Sequence, residues 1–156
     1  YLFMISKEVS ACINFGLTLI IYFLFVAIDG IPFSWNFLTL IYPIACLLIF
    51  NIGVGFILSA MFVVFKDVQY LYEIFTQLLM YVSAIFYTVD VYPDKIQLVF
   101  FINPVYSYIA YFRSVVLEGA IPPLWHHLLC FGYAMIMLIT GMVIYKKNNY
   151  KFMYYI

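Results

Sequence analysis

Residues 37–65 read FLTLIYPIACLLIFNIGVGFILSAMFVVF and contain no charged side chain. A helix rises about 1.5 Å per residue, so this run exceeds the hydrocarbon core of a bilayer, which is roughly 30 Å thick. Pro43 lies near its start. We therefore expect the segment to tilt, to kink near Pro43, or to begin above the membrane. A run of this length and apolarity predicts a helix that crosses a membrane.

Three further apolar runs lie on either side of this segment. Residues 9–28 carry no charge and end at Asp29-Gly30-Ile31-Pro32, which is typical of a turn. Residues 68–89 contain one acidic side chain, Glu73, and residues 124–145 contain none. The sequence thus predicts an all-α integral membrane protein with four transmembrane helices, at about 9–28, 37–65, 68–89 and 124–145.

The composition agrees with this class. Hydrophobic residues make up 68% of the 156 and charged residues 9%, whereas a soluble domain carries about a quarter charged residues. These values exclude a disordered chain and argue against a soluble enzyme. The formal net charge is zero and no basic cluster occurs, so we expect no nucleic acid partner. Cys12, Cys46 and Cys130 lie in apolar runs without a CxxC pair, which predicts buried small hydrophobes and no metal site.

The segment 96–118 is apolar but interrupted. It contains Asn103-Pro104 and the charged Arg113. Proline disfavours helical geometry in the preceding residue, so two short helices are expected here and not one span. Irregular backbone at membrane depth survives only where protein or water surrounds it. We therefore predict a re-entrant or interfacial helical hairpin before the last span.

The basic residues indicate the orientation. With four spans, five of the seven fall on one side of the membrane, and lysines and arginines are enriched on the cytoplasmic side. The prediction is a multi-pass protein whose C-terminus is cytoplasmic. The five are Lys7, Lys66, Lys146, Lys147 and Lys151.

Sequence patterns of catalytic or metal sites are lacking. There is no GxxxxGK[ST] phosphate loop, no HExxH and no GxSxG, so no catalytic residue and no metal site is predicted. His126 and His127 are neighbours, and adjacent helix positions point apart, which favours two interfacial histidines. Asp90 and Asp94 flank a turn at Pro93; an outer loop, with Asp94 capping the next helix, is favoured over an acid/base pair.

The predicted third span carries a stripe of polar side chains. At 100° per residue its members share a narrow arc, and an ionisable residue inside a span suggests a function. Two interpretations have equal weight: the stripe lines a conduit for a polar cargo, or it packs against another helix through hydrogen bonds. The members are Gln69, Glu73, Thr76, Met80, Ser83 and Tyr87, with Gln77 beside them.

Two shorter features allow a structural and a functional interpretation. Lys66 and Asp67 lie in the short connection between the second and third spans; they either complement the adjacent helix ends or form a docking point for a cytoplasmic partner. Asn51, Gly55 and Ser59 recur at four-residue spacing, which indicates close packing of helices.

The order of several short motifs resembles the ABC-2 type transporter permeases. The chain is most similar to the branch that exports polysaccharides, namely O-antigen, capsule and teichoic acid. Ala84 stands where the family motif Ser-Pro-Ile-Phe-Tyr has proline. The motifs that carry the resemblance are GVGFILSA at 53–60, FKDV at 65–68, SAIFY at 83–87, Asn103-Pro104, Arg113 and Glu118-Gly119.

The resemblance implies an organisation and partners. Residues 1–156 would be an ABC-2 type transmembrane domain, as an N-terminally truncated fragment holding the third to sixth of six spans. Two permease copies would form the conduit. A separate P-loop ATPase would carry ATP and magnesium, so this chain itself would bind no cofactor. Lys66 and Asp67 would belong to the ATPase-facing loop, and Asn103, Pro104 and Arg113 to the outer re-entrant region.

The implied function is export of a lipid-linked polysaccharide or teichoic acid across the bacterial cytoplasmic membrane. The chain would be a transporter permease and not an enzyme, and its partners would include membrane lipid and the lipid-linked glycan. Two alternatives remain: an ABC-2 exporter of a drug, peptide or lipid, and a membrane-embedded acyl- or glycosyltransferase.

Overall fold

The computed structural model describes residues 2–30, 35–65, 67–87 and 89–148. Helices and their connections make up these ranges, and they contain no strand, so the predicted all-α class is confirmed. The α-helices are α1 (Leu2–Ile28), α2 (Ile41–Val64), α3 (Val68–Val82), α4 (Asp94–Phe100), α5 (Pro104–Val116) and α6 (Leu124–Asn148); short 3-10 helices span Trp35–Leu40 and Val89–Val91.

Three helical segments of the described chain are long and apolar enough to cross a membrane. They are Val9–Ile28, Trp35–Phe62 and Leu124–Lys147, and they coincide with three of the predicted spans. The second begins as a 3-10 helix and becomes α-helical at Ile41, so Pro43 is its third α-helical residue. Proline is tolerated there because the first backbone N–H groups of a helix have no partner within the helix.

The predicted span 68–89 needs correction. The helix observed there, α3, has 15 residues and ends at Val82. At about 1.5 Å per residue it is roughly 22 Å long, shorter than a typical hydrocarbon core. Ala84 then adopts a left-handed backbone with φ 53°. The apolar pattern continues past this point, so it gave no sign that the helix ends.

The closest helix pair is α2 with α6. A Cβ added to Gly53 would lie 2.6 Å from the carbonyl oxygen of Met137, and one added to Gly141 would meet the backbone of Gly53. Only glycines allow two backbones to approach this closely. Asn51 and Gly55, which with Ser59 are predicted at a close helix contact, line a groove of about 250 Å³ beside α1.

The core of the molecule surrounds α5. Tyr108, Tyr111 and Val115 of α5 are at most 2% exposed and pack with buried residues of α2 and α6. Cys46 and Cys130 are buried there as predicted, but Cys12 is exposed on α1. Most side chains described on α1 and α3 are likewise exposed and apolar, as expected of surfaces that face lipid or another protein.

Candidate functional site

The hairpin before the last long helix divides at Asn103-Pro104, as predicted. Asn103 is the N-cap of α5: its side-chain oxygen accepts the Val105 N–H at 3.0 Å, and Pro104 occupies the first turn. Both positions suit these residue types. The Tyr133 hydroxyl donates to the Phe101 carbonyl at 2.8 Å and thereby ties the turn between α4 and α5 to α6.

Arg113 of α5 binds the backbone that follows α3. Its Nη2 donates to the carbonyls of Ala84 at 2.6 Å and Ile85 at 3.1 Å, and its Nη1 donates to the Tyr87 carbonyl at 3.2 Å. These carbonyls lie beyond the end of α3, where no further helical turn supplies N–H donors. The guanidinium therefore satisfies the backbone of a helix break.

A second bond joins the same two regions. The Asn103 side-chain amide donates to the Ser83 hydroxyl at 2.9 Å, and Ser83 is fully buried. Three motifs that are separate in the sequence, SAIFY, Asn103-Pro104 and Arg113, thus meet in space. We call this group, formed by Ser83, Ala84, Tyr87, Asn103 and Arg113, the Arg113 cluster.

The predicted polar stripe is divided by the end of α3. Gln69, Glu73 and Thr76 are exposed, and their hydrogen bonds remain within the helix: Gln69 Nε2 donates to Glu73 Oε1 at 3.3 Å, and the Thr76 hydroxyl donates to the Tyr72 carbonyl at 2.7 Å. Gln77 is exposed as well.

The last two stripe residues do not share the helical face of the others. Ser83 and Tyr87 lie beyond Val82, the last residue of α3. Ser83 is buried in the Arg113 cluster, and the Tyr87 hydroxyl donates to the Tyr81 carbonyl at 3.3 Å. The stripe that the structure supports therefore consists of Gln69, Glu73, Thr76 and Gln77, which we call the α3 stripe.

The loop before α3 is described in part. Asp67 is exposed and occupies the N-cap of α3, but its side chain makes no capping hydrogen bond, contrary to one interpretation of the sequence. Lys66 lies outside the described residues.

The two histidines lie in the first turn of α6 and differ in burial. His126 is 4% exposed, and its Nε2 donates to the Ser107 carbonyl at 2.8 Å. The Nε2 of His127 lies 2.8 Å from the Tyr111 hydroxyl. Both imidazole rings contact the Tyr111 ring, with centroid distances of 5.5 and 5.1 Å. His126 is thus buried among aromatic rings, whereas His127 is half-buried, and the interfacial position of the pair stays a prediction.

The tyrosines of α5 were not among the predicted site residues. Tyr108 and Tyr111 are three positions apart, so they share one helix face. The Tyr108 hydroxyl donates to the Cys130 carbonyl at 2.9 Å, while Tyr111 contacts both histidines. The three-residue spacing of these tyrosines is the signal in the sequence that indicates a shared face.

The predicted capping of α4 by Asp94 is wrong. Pro93 is the N-cap of α4, and Asp94 is the first residue of the helix. The side chains of Asp90 and Asp94 lie outside the described part. Within the part that is described, no three His, Cys, Asp or Glu side chains group so as to hold a metal ion.

Two curated proteins are similar to this chain. Both are described as O-antigen export system permease protein RfbA from Klebsiella pneumoniae. Each is 28% identical over 104 residues, which is 67% of this chain and 40% of the relative. The match therefore spans about two fifths of the length of the relatives. No protein family model matches the chain, and no solved structure matches it.

These relatives confirm the resemblance that the motifs indicated. The chain is similar to permeases of the ABC-2 polysaccharide export branch, and its long apolar helices are those of a multi-pass membrane protein.

Proposed function

We propose that this chain is the membrane-spanning part of a permease subunit in an ATP-driven exporter of lipid-linked polysaccharide or teichoic acid. The membrane concerned is the bacterial cytoplasmic membrane, with the C-terminus of the chain in the cytoplasm. The observation that carries the proposal is the similarity to O-antigen export permeases over 104 residues. The meeting of three separate motifs in the Arg113 cluster supports it, because these same motifs carry the family resemblance.

The α3 stripe is the surface on which this function would depend. Glu73 and its polar neighbours are exposed on a helix whose other faces are apolar. Polar and charged groups inside a membrane face a protein interior or a water-filled path. In the proposed assembly this face meets a second permease copy and lines the conduit between the two.

The permease would move cargo without breaking a covalent bond. ATP and magnesium would be bound by a separate P-loop ATPase, which would dock at Lys66 and Asp67 and displace the loop. The exposed carboxylate of Asp67 supports this role, since its side chain makes no capping bond with α3.

Affinity purification of the full-length parent protein tests the assembly. The tagged protein is extracted in mild detergent after crosslinking in membranes, and co-purifying proteins are identified. We expect a P-loop ATPase in stoichiometric amount. Its absence across several detergents and in the crosslinked sample would refute the exporter assignment.

Replacement of the loop residues tests the docking site. In the double variant Lys66→Ala/Asp67→Ala we expect ATPase stimulation and export to fall by about tenfold or more, equivalent to at least 1.4 kcal/mol of coupling. The matched control is Lys146→Ala/Lys147→Ala, which removes exposed charge from the end of α6. Wild-type export by the first variant would exclude Lys66 and Asp67 from the docking site.

Substitution within the α3 stripe tests the conduit. Thr76→Leu/Gln77→Leu replaces two exposed polar side chains with apolar ones, so we expect glycan flux to fall about tenfold or more while assembly with the ATPase persists. Leu78→Met, on the opposite face of α3, is the control because it conserves volume and polarity. Unchanged flux in the double variant would assign the stripe to packing alone.

A further inference from the structure

Side-chain hydrogen bonds of the Arg113 cluster connect the end of α3 to the α4–α5 hairpin. Arg113 donates to three carbonyls after α3, and Asn103 donates to Ser83, the residue that follows the last one of the helix. Arg113 is half-buried and Ala84 and Ser83 are fully buried, so water competes weakly for the Arg113–Ala84 and Asn103–Ser83 bonds, whereas the bonds to Ile85 and Tyr87 are exposed. Hydrogen bonds from an ionised donor are about twice as strong as neutral ones.

The rest of α3 is held much less firmly. Of its residues only Val68, at the opposite end, is buried. Side chains along the middle of the helix, such as Ile74 and Leu78, are 57% and 60% exposed. The helix is therefore attached at its two ends, whereas α5 is packed on several sides.

We propose that Arg113 is a positioning residue that couples α3 to the α4–α5 hairpin, so that a displacement at the start of α3 moves the hairpin. The inference rests on the proposed function, in which the ATPase acts at Lys66 and Asp67, immediately before α3. A helix of 15 residues with both ends attached transmits such a displacement to the Arg113 cluster along its axis. The hairpin then shifts with the carbonyls of Ala84, Ile85 and Tyr87.

The geometry requires the planar fork of arginine. Two nitrogens of one guanidinium reach three carbonyls, those of Ala84, Ile85 and Tyr87, within four residues of non-helical backbone. A lysine retains the charge but concentrates its donors on a single nitrogen at the end of a flexible chain. Arg113→Lys thus distinguishes a fixed fork from a charge effect.

The test measures thiol labelling of the hairpin in the full-length permease–ATPase complex reconstituted in lipid vesicles. A cysteine is introduced at Ile102, which is 71% exposed in the turn between α4 and α5, in a Cys12→Ala background. The labelling rate with a membrane-impermeant maleimide is compared with and without Mg-ATP. Couplings between sites typically correspond to a change of about 5- to 150-fold, so we expect at least about fivefold in the protein with Arg113 intact.

In Arg113→Gln we expect the ratio of the two rates to fall close to one, with the complex still assembled. In Arg113→Lys we expect only a small part of the ATP-dependent change in labelling rate to remain. Lys95→Gln, which removes an exposed cation of α4, is the matched control and should keep the full ratio. If Arg113→Gln keeps the wild-type ratio of labelling rates, the coupling through Arg113 is refuted. If Arg113→Lys keeps that ratio, the requirement for the planar guanidinium is refuted.

Two further outcomes separate this inference from the proposed function. If the ATPase co-purifies but Mg-ATP leaves labelling unchanged with Arg113 intact, the transmission is refuted and the exporter assignment stands. If no ATPase co-purifies, both are refuted. Should Arg113→Gln fail to assemble, Ser83→Ala removes only the acceptor of the Asn103 bond and should lower the ratio in part; an undiminished ratio in that variant would contradict the coupling.

Discussion

Gly53 and Gly141 set the distance between α2 and α6 because each faces backbone atoms of the other helix. Without a hydrophobic driving force between helices in lipid, such close packing supplies much of the association. At the same scale, Tyr133 attaches the turn between α4 and α5 to α6 through the carbonyls of Phe101 and Ile102. The first contact depends on the absence of a Cβ atom at two glycines, and the second depends on one tyrosine hydroxyl.

Gly53→Ala should destabilise the protein, since an added Cβ would lie 2.6 Å from the Met137 carbonyl oxygen. We expect a loss of about 1–3 kcal/mol, typical of overpacking, measured by unfolding in detergent. Gly132→Ala is the control, because a Cβ there meets no atom within 4 Å, and it should be neutral or stabilise by about 0.5–1 kcal/mol. Equal stability of both variants would mean that α2 and α6 are not in backbone contact.

Tyr133→Phe should destabilise the protein by about 1–3 kcal/mol, because it removes the hydroxyl donor from the Ile102 carbonyl and leaves the Phe101 carbonyl with the Ser107 hydroxyl alone. Tyr108→Phe, which also deletes one hydroxyl, is expected to cost less. Its acceptor, the Cys130 carbonyl, lies inside α6 and already has a helical partner. The order of the two unfolding midpoints in detergent checks the prediction, and a reversed order would contradict it.

Among the elements, α3 has an unusual end. No glycine or proline follows it, yet the chain turns at Ala84 with φ 53°, a conformation costly for any residue with a Cβ. Hydrogen bonds from Arg113 and Asn103 hold this segment in place and offset that cost. The break therefore depends on residues from a different helix.

Substitution at Ala84 tests this account. Ala84→Gly relieves the left-handed strain and should be neutral or stabilise by up to about 1 kcal/mol. Ala84→Pro restores the residue of the family motif, but proline fixes φ near −65°, so we expect a loss of about 3 kcal/mol or more. The thermal unfolding of both variants in detergent tests this prediction. If Ala84→Pro stabilised the protein, the segment after α3 would have to adopt another conformation.

For the whole molecule, the distribution of burial indicates how it would assemble. The core surrounds α5, and the exposed surfaces of α1 and α3 are left for lipid or another protein. The α3 stripe is the polar part of this exposed surface. In the proposed assembly a second copy covers it.

Disulfide crosslinking tests this arrangement in membranes. A cysteine at Thr76, on the α3 stripe, should form a dimer on oxidation, whereas one at Leu78, on the opposite face, should not. Both positions are exposed, so accessibility alone would treat them alike. Crosslinking at Leu78 alone would place the second copy on the other face of α3.

The sequence by itself determined the all-α class, three long apolar helices and the division of the hairpin at Asn103-Pro104, because these follow from uninterrupted apolar runs and from proline geometry. It also indicated the resemblance to export permeases that the relatives confirm. The role of the α3 stripe and of Lys66 and Asp67 stays a prediction.

Only the tertiary structure decided where α3 ends, which glycines meet and which residues the motifs bring together. The apolar pattern runs past Val82 without a stop signal, so the break became visible only with the carbonyls that Arg113 binds from 26 to 29 positions away in the chain. Likewise, both histidines contact the ring of Tyr111 on α5, and His126 is buried, although no local pattern connects them to that residue. The apolar and polar pattern of a segment indicates which of its faces is buried or lies in lipid. The contacts described here depend instead on which distant segment packs beside it.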